Sequence, residues 1–394
     1  MSKKNKPYAR IALYILIALI WGAAWYIYDY LHPTITERTT QHPLLSGEET
    51  TEQREVRRLV SELEVPRSVL CTSQSRCLIA ERPWRIRLRT NNELQQAPLL
   101  TIPHISNRAE EGLMSMVRHP NYEENGYIYI AYAYTENNTM AVRVVRYHDR
   151  DDHLEEERVI IDQLPAARRH AGTAWAFGPD GMLYITIGDA VDKQLAQSLD
   201  HLHGKIIRIT PEGEIPADNP LPWSPIRTRW HRNSQGIARM SNGEMYASEH
   251  GPSTFDGPPG GDEINRIIAG ENYGWPVVSH ERSAPGMRDP IAVYTPAIAP
   301  ASLYIHDGSV FPQWKDHLFI GMLRGEGVLR VEIDPDNPDQ IIDQVRLIDD
   351  SYGRVRYVWP WPDGSIIFTT SNEDGRGERR PEGDKVYQIR PVQP

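Results

Sequence analysis

The chain has 394 residues, 40% of them apolar, with only five Phe against 19 Tyr and 10 Trp, and a formal net charge of −10. That acidity excludes a nucleic-acid binder, which needs a basic surface. The aromatics with a polar edge suit strand surfaces and pocket walls better than a helical bundle.

Residues 1–10 form a basic tail with Lys3, Lys4, Lys6 and Arg10, expected on the cytoplasmic side. Ile11–Tyr28, "IALYILIALIWGAAWYIY", is an uncharged run of 18 residues, near the lower length that spans a bilayer. Cations before it and Trp/Tyr at its far end match the positive-inside rule and the aromatic belt. The reading is a single transmembrane signal-anchor over 11–31, holding the body on the periplasmic face of the inner membrane. Cleavage at "GAA" (22–24) is the other reading. Residues 32–58, rich in Thr, Glu, Gln and Pro, read as a polar stalk, with a helix over Gln53–Leu63 the one helical candidate outside the anchor. Cys71 and Cys77, the only cysteines, read as a disulfide in an exported protein.

From residue 59 to 394 a turn–strand–turn–strand unit recurs. Its copies are "SRCLIAERPWRIRLRT", "ENGYIYIAYAYTENNTMAVRVVRYHD", "PDGMLYITIGD…GKIIRITPEG", "SNGEMYASEHG…DEINRIIAGENYG", "KDHLFIGMLRGEGVLRVEID" and "PDGSIIFTTSNEDG…DKVYQIRP". NG and DG turns and period-two alternation mark each strand pair. Central aromatics at Tyr129, Tyr184, Tyr246, Phe319 and Phe368 are spaced 49 to 73 residues apart. Such a repeat with insertions predicts an all-β, six-bladed β-propeller, with its ligand site on loops at one end of the channel.

Four segments carry candidate chemistry. "RRHAGTAWAFGPDG" puts His170 just before a strand, and "WHRNSQGIA" places Arg232 and Asn233 in the equivalent position one blade later. "EHGPSTFDGPPGGDEINRIIAGENYGWP" (Glu249–Pro276) crowds Gly and Pro around acids, as a loop does when it fixes carbonyls and carboxylates for a hard cation. "GRVRYVWPWPDG" sets Arg354 and Arg356 two apart, on one face of an extended strand, and Arg324 ends another strand. Converging, these arginines make a cationic cup for carboxylates; taken singly, each reads as an ordinary surface ion pair.

These segments, with "EGLMSMVRHPNYEENGYIYIAY", "LHGKIIRITPEGEIPADNP" and "FPQWKDHLFIGML", fall in an order that resembles the soluble glucose/sorbosone dehydrogenases dependent on pyrroloquinoline quinone (PQQ), also called aldose sugar dehydrogenases. The resemblance covers about residues 65 to 390. It implies a calcium-assisted quinoprotein that oxidises an aldose to its lactone and passes electrons to an external acceptor. It implies His170 as general base, Arg232 beside the reacting carbonyl, and Glu110, Asn233, Arg324, Arg354 and Arg356 around the cofactor. It gives the carbonyls of Gly251 and Pro252 to a cofactor-bound Ca²⁺, and the Glu263 carboxylate and Tyr273 carbonyl to a structural one. The sequence departs from the pattern at Glu110 (for Gln), Thr173 (for Gly), Arg324 (for Lys) and Tyr357 (for Asp), and inserts "STFDGPP" between Gly-Pro and Gly-Gly-Asp-Glu. Two other functions compete: a ligand-binding propeller that has lost its quinone, and a metal-dependent lactonase.

Overall fold

In the computed structural model, the structure describes residues 14–23, 33–38, 54–103, 105, 110 and 112–392. Among these, six antiparallel sheets of four strands, one with a fifth short strand, stand as blades around a central channel. Blade 1 starts with Pro66–Ser73, blade 2 with Leu113–Arg118, blade 3 with Trp175–Phe177, blade 4 with Ser234–Arg239, blade 5 with Pro300–Ile305 and blade 6 with Val355–Pro360. These first strands line the channel, each lying against the first strands of its neighbours.

The repeat markers explain how the blades cohere. Tyr129, Tyr184, Tyr246, Phe319 and Phe368 sit on the second strands of blades 2 to 6, and all are buried. A lone sheet leaves both apolar faces wet, so each blade packs on the next. Ile128 and Ile130 of blade 2 pack with Leu78 and Ile86 of blade 1, and Phe319 of blade 5 with Phe368 and Ile389 of blade 6. Fully burying one such Phe contributes about 2 kcal/mol.

The ring closes with strands from both ends of the chain. Arg54–Leu63 is a strand, not the expected helix, and pairs antiparallel with Asp384–Pro391 as the outer strand of blade 6. Its charged residues suit the rim of a sheet, and the C-terminal partner is absent from any local reading. The propeller therefore begins at Arg54, inside the stretch read as stalk. Also within that stretch, Thr36–Glu37 pairs antiparallel with Arg282–Ser283. The expected disulfide joins Cys71 to Cys77, directly opposite one another on the first two strands of blade 1.

The expected span over 11–31 falls partly outside the described residues. Residues 14–23 are helical, and among the described residues no helix is long and apolar enough to cross a membrane.

Candidate active site

First strands run away from one face of the propeller, so the residues at their starts, and the loops beside them, gather at one mouth of the channel. There a cavity of about 440 Å³ opens, within the range of small-molecule sites. Six arginines face it: Arg67, Arg82, Arg324, Arg354, Arg356 and Arg376. Against them stand three acids, Glu110, Asp262 and Asp374. A strongly acidic protein thus turns a cationic surface inward.

Arg354 and Arg356 converge as their spacing predicts. Both reach Asp374 Oδ2, Arg354 from its Nη2 at 2.8 Å and Arg356 from its Nη2 at 3.5 Å. Burial pushes the Asp374 carboxyl up, but Arg356 and Arg354 outweigh it and pull it down to about 2. Burial, opposed by Asp374 and reinforced by Arg354, brings Arg356 down to about 10. Arg67 is held well below the usual arginine range by burial, then by Arg356 and Arg82. Its Nε is buried without a hydrogen-bond partner among the described residues. Arg324 is exposed on the cavity rim. The site is short of negative charge.

Glu110 does not repel this arrangement as an unpaired carboxylate would. Its Oε1 lies 3.0 Å from Arg376 Nη2, and its Oε2 accepts the His170 backbone N–H at 2.9 Å. Burial raises its carboxyl, yet Arg376, His250, His170 and that N–H together hold it below the ordinary value. Thr173 and Tyr357, the other departures, turn into the channel beneath, where with Arg67 and Arg356 they line a smaller void of about 60 Å³.

His170 stands between blades 3 and 4. Its backbone is left-handed (φ 56°), and its carbonyl lies where a Cβ on Gly188 would fall, so only glycine fits there. The ring's Nδ1 donates to Asp189 Oδ1 at 2.6 Å, which leaves Nε2 as the ring nitrogen free to exchange a proton. Asp189 is itself fixed by Trp275 Nε1–H at 2.9 Å and the Val191 N–H at 2.9 Å. Asn233 Oδ1 accepts the Gly172 N–H at 3.2 Å, tying the starts of the two blades together. His170 is 4% exposed and lies off the cavity wall.

The inserted segment, Ser253–Pro259, covers that corner. Phe255 places its ring 5.6 Å from the His170 ring, and Asp256 Oδ2 accepts from Arg232 Nε at 2.8 Å. Arg232 also donates to the His250 carbonyl at 3.1 Å. The expected pair of His170 and Arg232 is therefore adjacent but sheathed, while Glu110, Arg324, Arg354, Arg356, Gly251 and Pro252 face the open cavity.

Gly251, Pro252, Glu263 and Tyr273 meet around a separate void of about 10 Å³, beside Glu249. That is about one water or ion in size. Burial first, and then the charge of Glu249, raise the Glu263 carboxyl to about 8. A buried acid pushed this far fits a site that a hard cation would relieve. The Gly251–Pro252 corner fits less fully, since the Pro252 carbonyl already accepts the Gly260 N–H at 3.3 Å. Among the described residues, no three His, Cys, Asp or Glu side chains form a metal-holding group.

Sequence reasoning missed Arg67, Arg82, Arg376, Asp374 and Asp189. Asp189 carries a usable signal, "ITIGD", a polar break at the end of a strand; Arg67 and Arg82 lie far in the chain from Asp374 and Arg376, which sit in an aperiodic loop.

The model for glucose/sorbosone dehydrogenases matches residues 63–379. The chain belongs to this family. It is 30% identical over 303 residues to the aldose sugar dehydrogenase YliI of Escherichia coli K12, covering 71% of this chain and 79% of that one. It is 26% identical over 417 residues to quinoprotein glucose dehydrogenase B of Acinetobacter calcoaceticus, covering 82% and 86%. The PQQ-bound aldose sugar dehydrogenase of Streptomyces coelicolor superposes with a TM-score of 0.74 at 27% identity, covering 86% of this chain and 99% of that one.

Proposed function

We propose that this chain is a PQQ-dependent dehydrogenase that oxidises an aldose-type sugar to its lactone and hands the electrons to an external acceptor. The observation that carries the reading is the cavity itself: six arginines against three acids, in a protein of net charge −10. A polycarboxylate of cofactor size answers that imbalance. Arg67, Arg354 and Arg356 would hold its carboxylates, and Arg82, Arg324 and Arg376 would surround them.

When bound, the quinone would supply a two-electron acceptor for the hydride of the anomeric carbon, and the carbonyls of Gly251 and Pro252 would hold a Ca²⁺ that polarises it. The chain's own part is proton transfer and charge. Asp189 keeps the proton of His170 on Nδ1, so Nε2 takes the proton of the anomeric hydroxyl. Arg232, with Asn233 beside it, stabilises negative charge developing next to that base. Glu263 and the Tyr273 carbonyl would hold a second, structural Ca²⁺.

We further propose that the segment 11–31 anchors the chain in the inner membrane, with the propeller in the periplasm. Reconstitution tests the enzymatic reading. The full-length protein in detergent, given PQQ and Ca²⁺, should reduce a dye only when an aldose is added. No turnover with any aldose, together with no quinone binding, overturns it.

One observation favours a second reading, a propeller that binds ligands without oxidising them: His170 is covered and Arg232 already paired with Asp256. No quinone binding by the natural protein, with another anion still binding in the arginine cavity, would be its signature.

A further inference from the structure

We propose that Ser253–Pro259 is a lid over the base corner, in which Phe255 shields His170 and Asp256 occupies the place on Arg232 that an anionic ligand group takes when the lid opens. The inference rests on the dehydrogenase reading for the identity of that ligand, the quinone.

Three observations point to a movable cover rather than a fixed wall. Phe255 lies against His170 on one side, with the Arg169 guanidinium 4.9 Å and that of Arg232 5.9 Å from its ring centre, yet it remains 45% exposed. A ring so exposed forfeits little hydrophobic stabilisation when it swings away. The segment is also self-contained. Asp256 Oδ1 accepts the Ser253 N–H at 2.8 Å, and the Ser253 carbonyl accepts the Asp256 and Gly257 N–H groups at 2.9 Å each. It can therefore move as a unit, and left-handed Gly260 and Gly261 (φ 121° and 67°) follow it in the chain. Finally, it is fastened mainly by charge: Asp256 on Arg232 Nε, Ser253 Oγ 3.5 Å from Arg232 Nη2, and Lys193 Nζ on the Asp256 carbonyl at 3.3 Å.

An anion with more than one carboxylate competes directly for such a fastening. Binding then shifts the lid by its advantage for the open state over the closed one. The lid keeps water and stray electrophiles from Nε2 until the cofactor arrives.

The test is chemical labelling of His170 with diethyl pyrocarbonate in the full-length protein without PQQ, located by peptide mass spectrometry. Phe255→Ala should raise the His170 labelling rate by at least about tenfold, with melting temperature unchanged and labelling of the exposed His153 unaltered. Asp256→Asn, which keeps shape but removes charge, should also speed it. The same variant should tighten PQQ binding about tenfold, the usual worth of one charged hydrogen bond. Equal His170 labelling in wild type and both variants overturns the lid. If no variant binds PQQ, the dehydrogenase reading fails while the labelling still decides the lid.

Discussion

The two halves of the channel mouth handle charge in opposite ways. On the side of blades 3 and 4 the charged groups are matched partner to partner and shut away: His170 with Asp189, His231 with Glu249, Arg232 with Asp256. On the side of blades 6 and 1, Arg354 and Arg356 share the single carboxylate of Asp374, and Arg67 Nε has no hydrogen-bond partner among the described residues. The first half already pairs His170 and Arg232 without a ligand and has to open before they act. The second is incomplete and gains most from an anion. Burying like charges together is costly, and the cost persists in a fold only where something regularly offsets it. The arginine half is where the protein waits for its cofactor; the base half is where it protects its chemistry.

Removing the base should break the comparison most severely. His170→Asn should lower the turnover number about 100-fold to 10,000-fold, the range a positioned base contributes, while PQQ binding on the arginine half stays near wild type. Steady-state dye reduction at saturating sugar checks the first part and quinone titration the second. A loss under about tenfold would mean that another group takes the proton.

Asp374→Asn should sharpen the opposite side. The Asp374 carboxyl sits near 2 in the fold against an ordinary 3.8, so it is depressed. Its contribution is then fully present above about pH 4 and disappears as pH falls through about 2, and amounts to about 2 kcal/mol. The variant should melt several degrees lower at neutral pH, and the gap should narrow steadily between pH 4 and pH 2. Thermal melts across that window decide it. A gap independent of pH would show that Asp374 acts by shape and not by charge.

What the sequence discloses follows the range of the physics. Tyr129, Tyr184, Tyr246, Phe319 and Phe368 recur because five of the six blades bury an aromatic at the same place, and a repeat is visible without coordinates. Arg354 and Arg356 were legible because alternation along a strand is a local rule. The strand Arg54–Leu63 was not, since its partner Asp384–Pro391 lies more than 300 residues away and its own charges imitate a solvated helix. Arg67 and Arg82 join the site only because blade 1 packs on blade 6, and Arg376 through an aperiodic loop within blade 6. The insertion was visible as an insertion, but Phe255 meets His170 through an aperiodic loop, and no spacing in the sequence encodes that contact.

Glu110 tests the boundary between the halves, because it belongs to both: its backbone carbonyl accepts from Arg67 Nη2, and its carboxylate accepts from His170 N–H and pairs with Arg376. As a bare carboxylate it would oppose a polyanion, and Glu110→Gln would then rescue binding dramatically. Its charge is instead already committed, and the Arg376 partner is 55% exposed, where water and salt screen what the pair is worth. The glutamine keeps an oxygen for the His170 N–H and frees only this screened guanidinium. PQQ affinity should therefore rise by less than about fivefold, the scale of a solvent-exposed ion pair, and the gain should shrink as salt is added. Quinone titration at two ionic strengths measures both. Binding that appears only in the variant would mean that the natural Glu110 excludes the cofactor, and the arginine half would then be a site for some other anion.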